Sequence, residues 1–127
     1  MKKYGTLTKA EAQVMNILWD MPEGGIIHEI IARYPDPKPA YTTVSTFLKI
    51  LDTKGFVSHR KVSGKTYIFF PLVSKQEYTN QVIDNVKWSF FGGSGSSFLK
   101  FFVENEKMSQ SEIKELIEII QNSNPQE

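Results

Sequence analysis

The chain has no cysteine in its 127 residues. That excludes a disulfide framework and any thiolate metal site, and it fits a reducing compartment. Histidine is almost as scarce, since His28 and His59 are the only two. Neither has a carboxylate or a second histidine at ligand spacing, so each reads as an ordinary polar residue and not as a metal ligand or general base. Long apolar runs are missing too. The longest unbroken stretch, YIFFPLV, is far too short to cross a bilayer. The opening MKKYGTLTKAEAQ lacks the apolar core of a secretory leader, so a cytoplasmic location is expected.

Two glycine-containing stretches invite a phosphate-binding reading, and both fail it. SGKT at 63–66 resembles the end of a P-loop, but the position where that motif needs its first glycine is His59. It also joins two strand-like segments, whereas a P-loop joins a strand to a helix. GGSGSS at 92–97 lacks the GxGxxG spacing and follows a helical pattern, so it reads as a joint. No Ser-His-Asp assembly can be argued either. An enzyme is therefore the least expected class, and no metal or cofactor is implied.

What the chain does have is an uneven charge distribution. Residues 1–73 carry ten Lys and Arg against six Asp and Glu, a net of +4, while residues 74–127 carry five against eight, a net of −3. Within 38–65 there are six basic residues and a single acid, Asp52. A basic first half joined to an acidic second half suggests a polyanion-binding unit attached to something else.

The order of elements follows from periodicity and punctuation. Thr8–Glu11 has capping-box spacing and opens a helix with Leu7, Ala10, Val14, Ile17, Leu18 and Met21 at helical period. A shorter helix carries Ile27, Ile30, Ile31 and Tyr34 until PDPKP at 35–39 stops it. A third spans YTTVSTFLKILDTKG at 41–55, closed by Gly55. FVSHRKV, a short SG turn and KTYIFFPL then read as a β-hairpin, with Tyr67 expected in the core and a DNA contact as its other use. Capping boxes at Ser74–Glu77 and Ser109–Glu112 open two further helices, and the strongly apolar FLKFFVEN between them reads as a third. NSNPQE at 122–127 is expected to fray.

Three helices followed by a hairpin is the order of a winged helix-turn-helix. The expected fold is thus mostly α with a small β-hairpin: a winged-helix domain over 1–73 and a helical region over 74–127. In such a domain the third helix enters the major groove and the hairpin lies along the phosphate backbone.

The third helix has a composition that suits that use. Val44, Phe47, Leu48 and Leu51 form its apolar stripe, leaving Thr42, Thr43, Ser45, Thr46 and Lys49 off it. Short hydroxyls let a helix sit deep in a groove and can bond phosphates or base edges, and the helix dipole adds a positive end. The other use of the same pattern is a helix capped by Thr42 or Thr43 with the rest facing water. Arg60, Lys61 and Lys65 around the hairpin turn, and Lys38 before the helix, supply candidate phosphate contacts. The same lysines could instead protect an edge strand.

LTKAEAQVMNILWD, AYTTVSTFLKILDTKGFV and FVENEKMSQSEIKELIEII together resemble the BlaI/MecI penicillinase-repressor family, over about residues 5–122. The resemblance implies a homodimeric winged-helix repressor that binds a palindromic double-stranded DNA operator. It implies groove-reading positions at Thr42, Thr43 and Ser45, with Lys61 and Lys65 on the wing. It implies dimerisation through the C-terminal helices, where Phe98, Leu99, Phe102, Ile113, Leu116, Ile117 and Ile120 are the apolar candidates. The family is induced when a membrane sensor-protease leads to cleavage within the dimerisation region, typically at an Asn-Phe bond. The matching pair here is Phe101-Phe102, which keeps the Phe and replaces the Asn. The copper-sensing branch uses a C-terminal cysteine motif, which this chain lacks. The competing class is a winged-helix module that binds protein without reading DNA sequence.

Overall fold

The computed structural model describes residues 3–123. Six helices and one hairpin follow in the order α1 (Lys9–Trp19), α2 (Ile27–Ala32), α3 (Tyr41–Thr53), β1 (Val57–Ser63), β2 (Thr66–Pro71), α4 (Lys75–Phe90), α5 (Gly95–Asn105) and α6 (Gln110–Asn122). The fold is mostly α with one antiparallel hairpin, as the sequence predicts. Of the tail expected to fray, residues 124–127 lie outside the described stretch.

Local chemistry sets the helix starts. Thr8 accepts from the Glu11 N–H while Glu11 accepts from the Thr8 N–H, completing the predicted capping box. Ser74 with Glu77 and Ser109 with Glu112 do the same for α4 and α6. α3 ends at Thr53 with Lys54 as its C-cap, and Gly55 follows with φ +85°, the left-handed geometry that glycine adopts without steric cost.

The chain divides into two compact units, Met1–Ile83 and Asp84–Glu127. The first contains the core. Val14, Met15 and Leu18 of α1 meet Ile27 and Ile30 of α2, Val44, Leu48 and Leu51 of α3, and Phe56, Val57 and Val73 around the hairpin. Phe47, the fourth member of the predicted α3 stripe, packs partly buried against them. The first turns of α4 belong to this unit because the N-terminal segment holds them. Tyr4 and Gln81 exchange two 2.7 Å hydrogen bonds, and the Leu7 N–H donates to the Tyr78 hydroxyl at 2.8 Å.

Glu11 is the only buried charged residue among those described. Burial pushes its carboxyl up, but the hydrogen bonds and charge of Lys54 and the bonds from Thr8 outweigh this, so its pKa lies below the ordinary value. The Tyr34 hydroxyl is buried without a hydrogen-bond partner among the described residues, and burial raises its pKa.

The hairpin is tied to the helices by a pairing that sequence spacing does not reveal. Gly25, just before α2, exchanges both backbone hydrogen bonds with Phe69 of β2, at 3.0 and 2.9 Å. The neighbouring Gly24 has φ +86°, and a Cβ there would sit 2.4 Å from the Phe69 carbonyl oxygen. The backbone approaches too closely for any side chain at that position.

The second unit is built differently. The part of α4 from Asp84 onwards, α5 and α6 contain no buried residue. Gly92 and Gly93, both at positive φ, break α4 from α5, and Ser94 caps α5.

Candidate nucleic-acid interface

The start of α3 is open. Its N-cap is Ala40, and no side chain caps it. Neither Thr42 nor Thr43 serves as a cap. The first-turn N–H groups, left without intrahelical partners, therefore point outward together with the positive end of the dipole. Thr42 and Thr43 are exposed beside them and Ser45 is half-buried. The Thr46 hydroxyl donates to the Thr42 carbonyl at 2.9 Å, which spends its proton and leaves it an acceptor. Tyr41, half exposed, packs its ring 5.1 Å from that of His28.

Across from α3 stands the hairpin. Its register pairs His59 with Phe69, Arg60 with Ile68, Lys61 with Tyr67 and Ser63 with Thr66, with an irregularity between Lys61 and Ser63. Gly64 turns the chain at φ +52°. Lys49, Arg60, Lys61 and Lys65 are exposed and form no salt bridge among the described residues. They are therefore available to an external anion.

Two concavities line the junction of α3 and the hairpin. One of about 330 Å³ is walled by His28, Tyr41, Ser45 and Lys49 on the helical side and by Lys65, Thr66, Tyr67 and Phe69 on the hairpin side. The second, of about 380 Å³, is formed by Lys49, Asp52, Thr53, His59, Tyr67 and Phe69. Lys49, Tyr67 and Phe69 line both. The expectation of a core Tyr67 is corrected here: the ring is 39% exposed and forms part of this groove. Its strand partner is Lys61, on the exposed part of the hairpin away from the base.

Lys38 behaves differently from the other cations. Its ammonium donates to the carbonyls of Tyr34 at 2.7 Å and Ala32 at 3.2 Å, satisfying the end of α2. His59 also departs from its expected isolation, since a carboxylate does face it. Its Nδ1 lies 2.5 Å from Asp52 Oδ2. Among the described residues no cluster of three or more His, Asp or Glu could hold a metal ion. No described helix is long and apolar enough to cross a membrane.

Comparison with known proteins fits this geometry. The family model described as penicillinase repressor matches residues 7–122. The chain belongs to the penicillinase repressor family. A penicillinase repressor of Bacillus licheniformis is 28% identical over 95% of this chain and 94% of its own length. The methicillin resistance regulatory protein MecI of Mammaliicoccus sciuri is 33% identical over 90% of this chain and 92% of its own. That of Staphylococcus aureus strain N315 is 32% identical, with the same coverage. The family match spans both units, so the exposed apolar helices of the second belong to the penicillinase-repressor pattern as much as the hairpin does.

The residues missed in the sequence are those that shape the groove without carrying charge. His28 and Tyr41 come together from different helices, and Gly25 meets Phe69 across more than forty positions. The one available signal was the double glycine before α2, at a place where no turn alone required two.

Proposed function

We propose that this chain is a homodimeric transcriptional repressor that binds a palindromic operator in double-stranded DNA and is released by cleavage in its C-terminal region. The observation that carries the reading is the uncapped N-terminus of α3, with Thr42 and Thr43 exposed beside it, and the groove in which Ser45 and Lys49 of that helix face Lys65 of the hairpin. A helix of this kind enters a major groove through its first turns, where short hydroxyls reach base edges and thymine methyls. Lys49, Arg60, Lys61 and Lys65 supply sequence-independent phosphate contacts. Thr46 contributes as an acceptor, and Lys38 serves first to close α2. The names of the relatives, repressor and resistance regulator, support the same class.

Dimerisation is supported by what the second unit lacks. Leu99, Phe102, Ile113, Ile117 and Ile120 are each between 38% and 58% exposed. Phe98 and Leu116 are half-buried, and nothing in α5 or α6 is fully buried. So much exposed aliphatic and aromatic surface on one small unit is typical of an interface. A dimer presents two α3 helices at fixed separation, so the second half-site binds at high effective concentration, a gain of about 10²–10⁴-fold.

Cleavage at Phe101-Phe102 would remove that gain. Both side chains are exposed, at 56% and 43%, but the bond lies inside α5. A protease, such as a membrane sensor-protease, would act on it after local unwinding of α5. The test compares the intact chain with a chain ending at Phe101, on the palindrome that the intact chain enriches from random duplex DNA. The truncated chain is expected to sediment as a weak dimer and to lose most of its affinity. A truncated chain that stays tightly dimeric and binds unchanged rejects the valence mechanism, and enrichment of no duplex at low salt favours a protein-interaction module.

A further inference from the structure

We propose that Asp52 and His59 form a strut that fixes the wing against α3, so that phosphate binding by Arg60, Lys61 and Lys65 depends on it. The proposal rests on the groove being a DNA interface. Asp52 is the only acid among residues 38–65. On an anion-binding face a bare carboxylate repels phosphate, so its presence calls for another task. The structure supplies one. Asp52 stands in the last turn of α3, and its Oδ2 meets His59 Nδ1 of β1 at 2.5 Å, a close hydrogen bond to a carboxylate. The His59 ring is held on its other sides by Tyr67, edge-on at 5.5 Å, and Phe69, at 5.8 Å, both on β2. One imidazole thus joins the helix to both strands.

The rest of the hairpin explains why such a joint matters. Its backbone ties to the rest of the unit among the described residues are the Leu72 N–H to Phe56 carbonyl bond at its base and the Gly25 pairing with Phe69, which stands on the same rung as His59. A two-stranded ribbon is marginal by itself. Arg60, Lys61 and Lys65 lie beyond that rung, where Asp52 holds β1 through His59 while Gly25 holds β2 through Phe69. The pair is only half-buried, with the Asp52 and His59 side chains 37% and 47% exposed, so breaking it opens no core cavity. The strut therefore positions residues that touch DNA and touches none itself.

The test uses the intact chain, the duplex most enriched by it from a random pool, and titration of affinity against salt. Asp52→Ala and His59→Phe, the latter keeping an aromatic ring and losing only the bond, are expected to bind several-fold more weakly. Their log–log salt slopes should be shallower by about 0.9 for each phosphate that is no longer neutralised. The double variant should be no weaker than either single one, because both remove the same link. Asp52→Asn, which still accepts from Nδ1–H, should restore the slope. A purely structural role would lower the melting temperature and leave the slope unchanged. Should Asp52→Ala fail to fold, His59→Phe gives the same reading. Wild-type binding together with an Asp52→Ala variant that binds as tightly or more tightly, at unchanged slope, overturns the strut alone. Failure of the wild type to bind any duplex at low salt overturns the repressor reading itself.

Discussion

Lys54 donates to Glu11 at 2.8 Å, joining the first residue after α3 to the capping box of α1. The carboxylate is 6% exposed and the ammonium 33%. The same oxygen, Oε1, also accepts from the Thr8 N–H, so one atom serves both the cap of α1 and its link to the end of α3. Because the pKa of Glu11 is lowered in the fold, the pair contributes stability that is fully present above the unfolded value near 4.5 and is lost as pH falls through the lower folded value. Glu11→Gln keeps a cap acceptor but removes the charge. It is expected to cost about 1–2 kcal/mol at pH 7 by denaturant unfolding, and the difference from wild type should shrink below pH 4.5.

Gly24 tests the seating of the wing. A methyl group there meets the Phe69 carbonyl, and the left-handed backbone adds strain. Gly24→Ala should destabilise the fold by about 1–3 kcal/mol, read as a shift in urea midpoint at constant m. Gly64→Ala has open space around it and should cost less.

The Tyr34 hydroxyl is a polar group buried without a partner among the described residues, so removing it should not harm the fold. Tyr34→Phe is expected to be neutral or to stabilise by up to about 1 kcal/mol. Leu48→Ala, at a fully buried site on α3, should cost about 2–5 kcal/mol. Thermal unfolding of the two variants beside wild type separates an unsatisfied polar group from a packed one.

Ile117 is half exposed on α6 and stands on its apolar stripe. Ile117→Asp should leave the winged-helix unit folded and weaken self-association by about 100-fold or more. Analytical ultracentrifugation checks this, and an unchanged sedimentation profile argues against α6 as the interface.

Sequence made visible what local chemistry controls. Three capping boxes, the α3 stripe and the hairpin turn are each written within a few neighbouring residues, and each stands where the spacing places it. Pairings between elements were less legible. The Gly25–Phe69 bridge depends on where α2 begins relative to a strand far along the chain. The Asp52–His59 pair crosses from a helix to a strand, so helical spacing from Asp52 points elsewhere. Tyr67 looked like a core residue because its neighbours Ile68, Phe69 and Phe70 are apolar, but its strand position turns it towards the groove. Lys38 carries the right charge in the right place, yet the carbonyls of Ala32 and Tyr34, at and just past the end of α2, take its ammonium.

The central claim is that α3 and the wing form one DNA-binding surface, presented twice by a dimer. Its most direct test is the salt dependence of the intact chain's affinity for the duplex it enriches from random DNA. The account predicts enrichment of a palindrome and a log–log slope of about −0.9 for each phosphate neutralised, with Lys61→Ala and Lys65→Ala each making it shallower by about one unit. An affinity nearly independent of salt, or no enriched duplex at low salt, would contradict it.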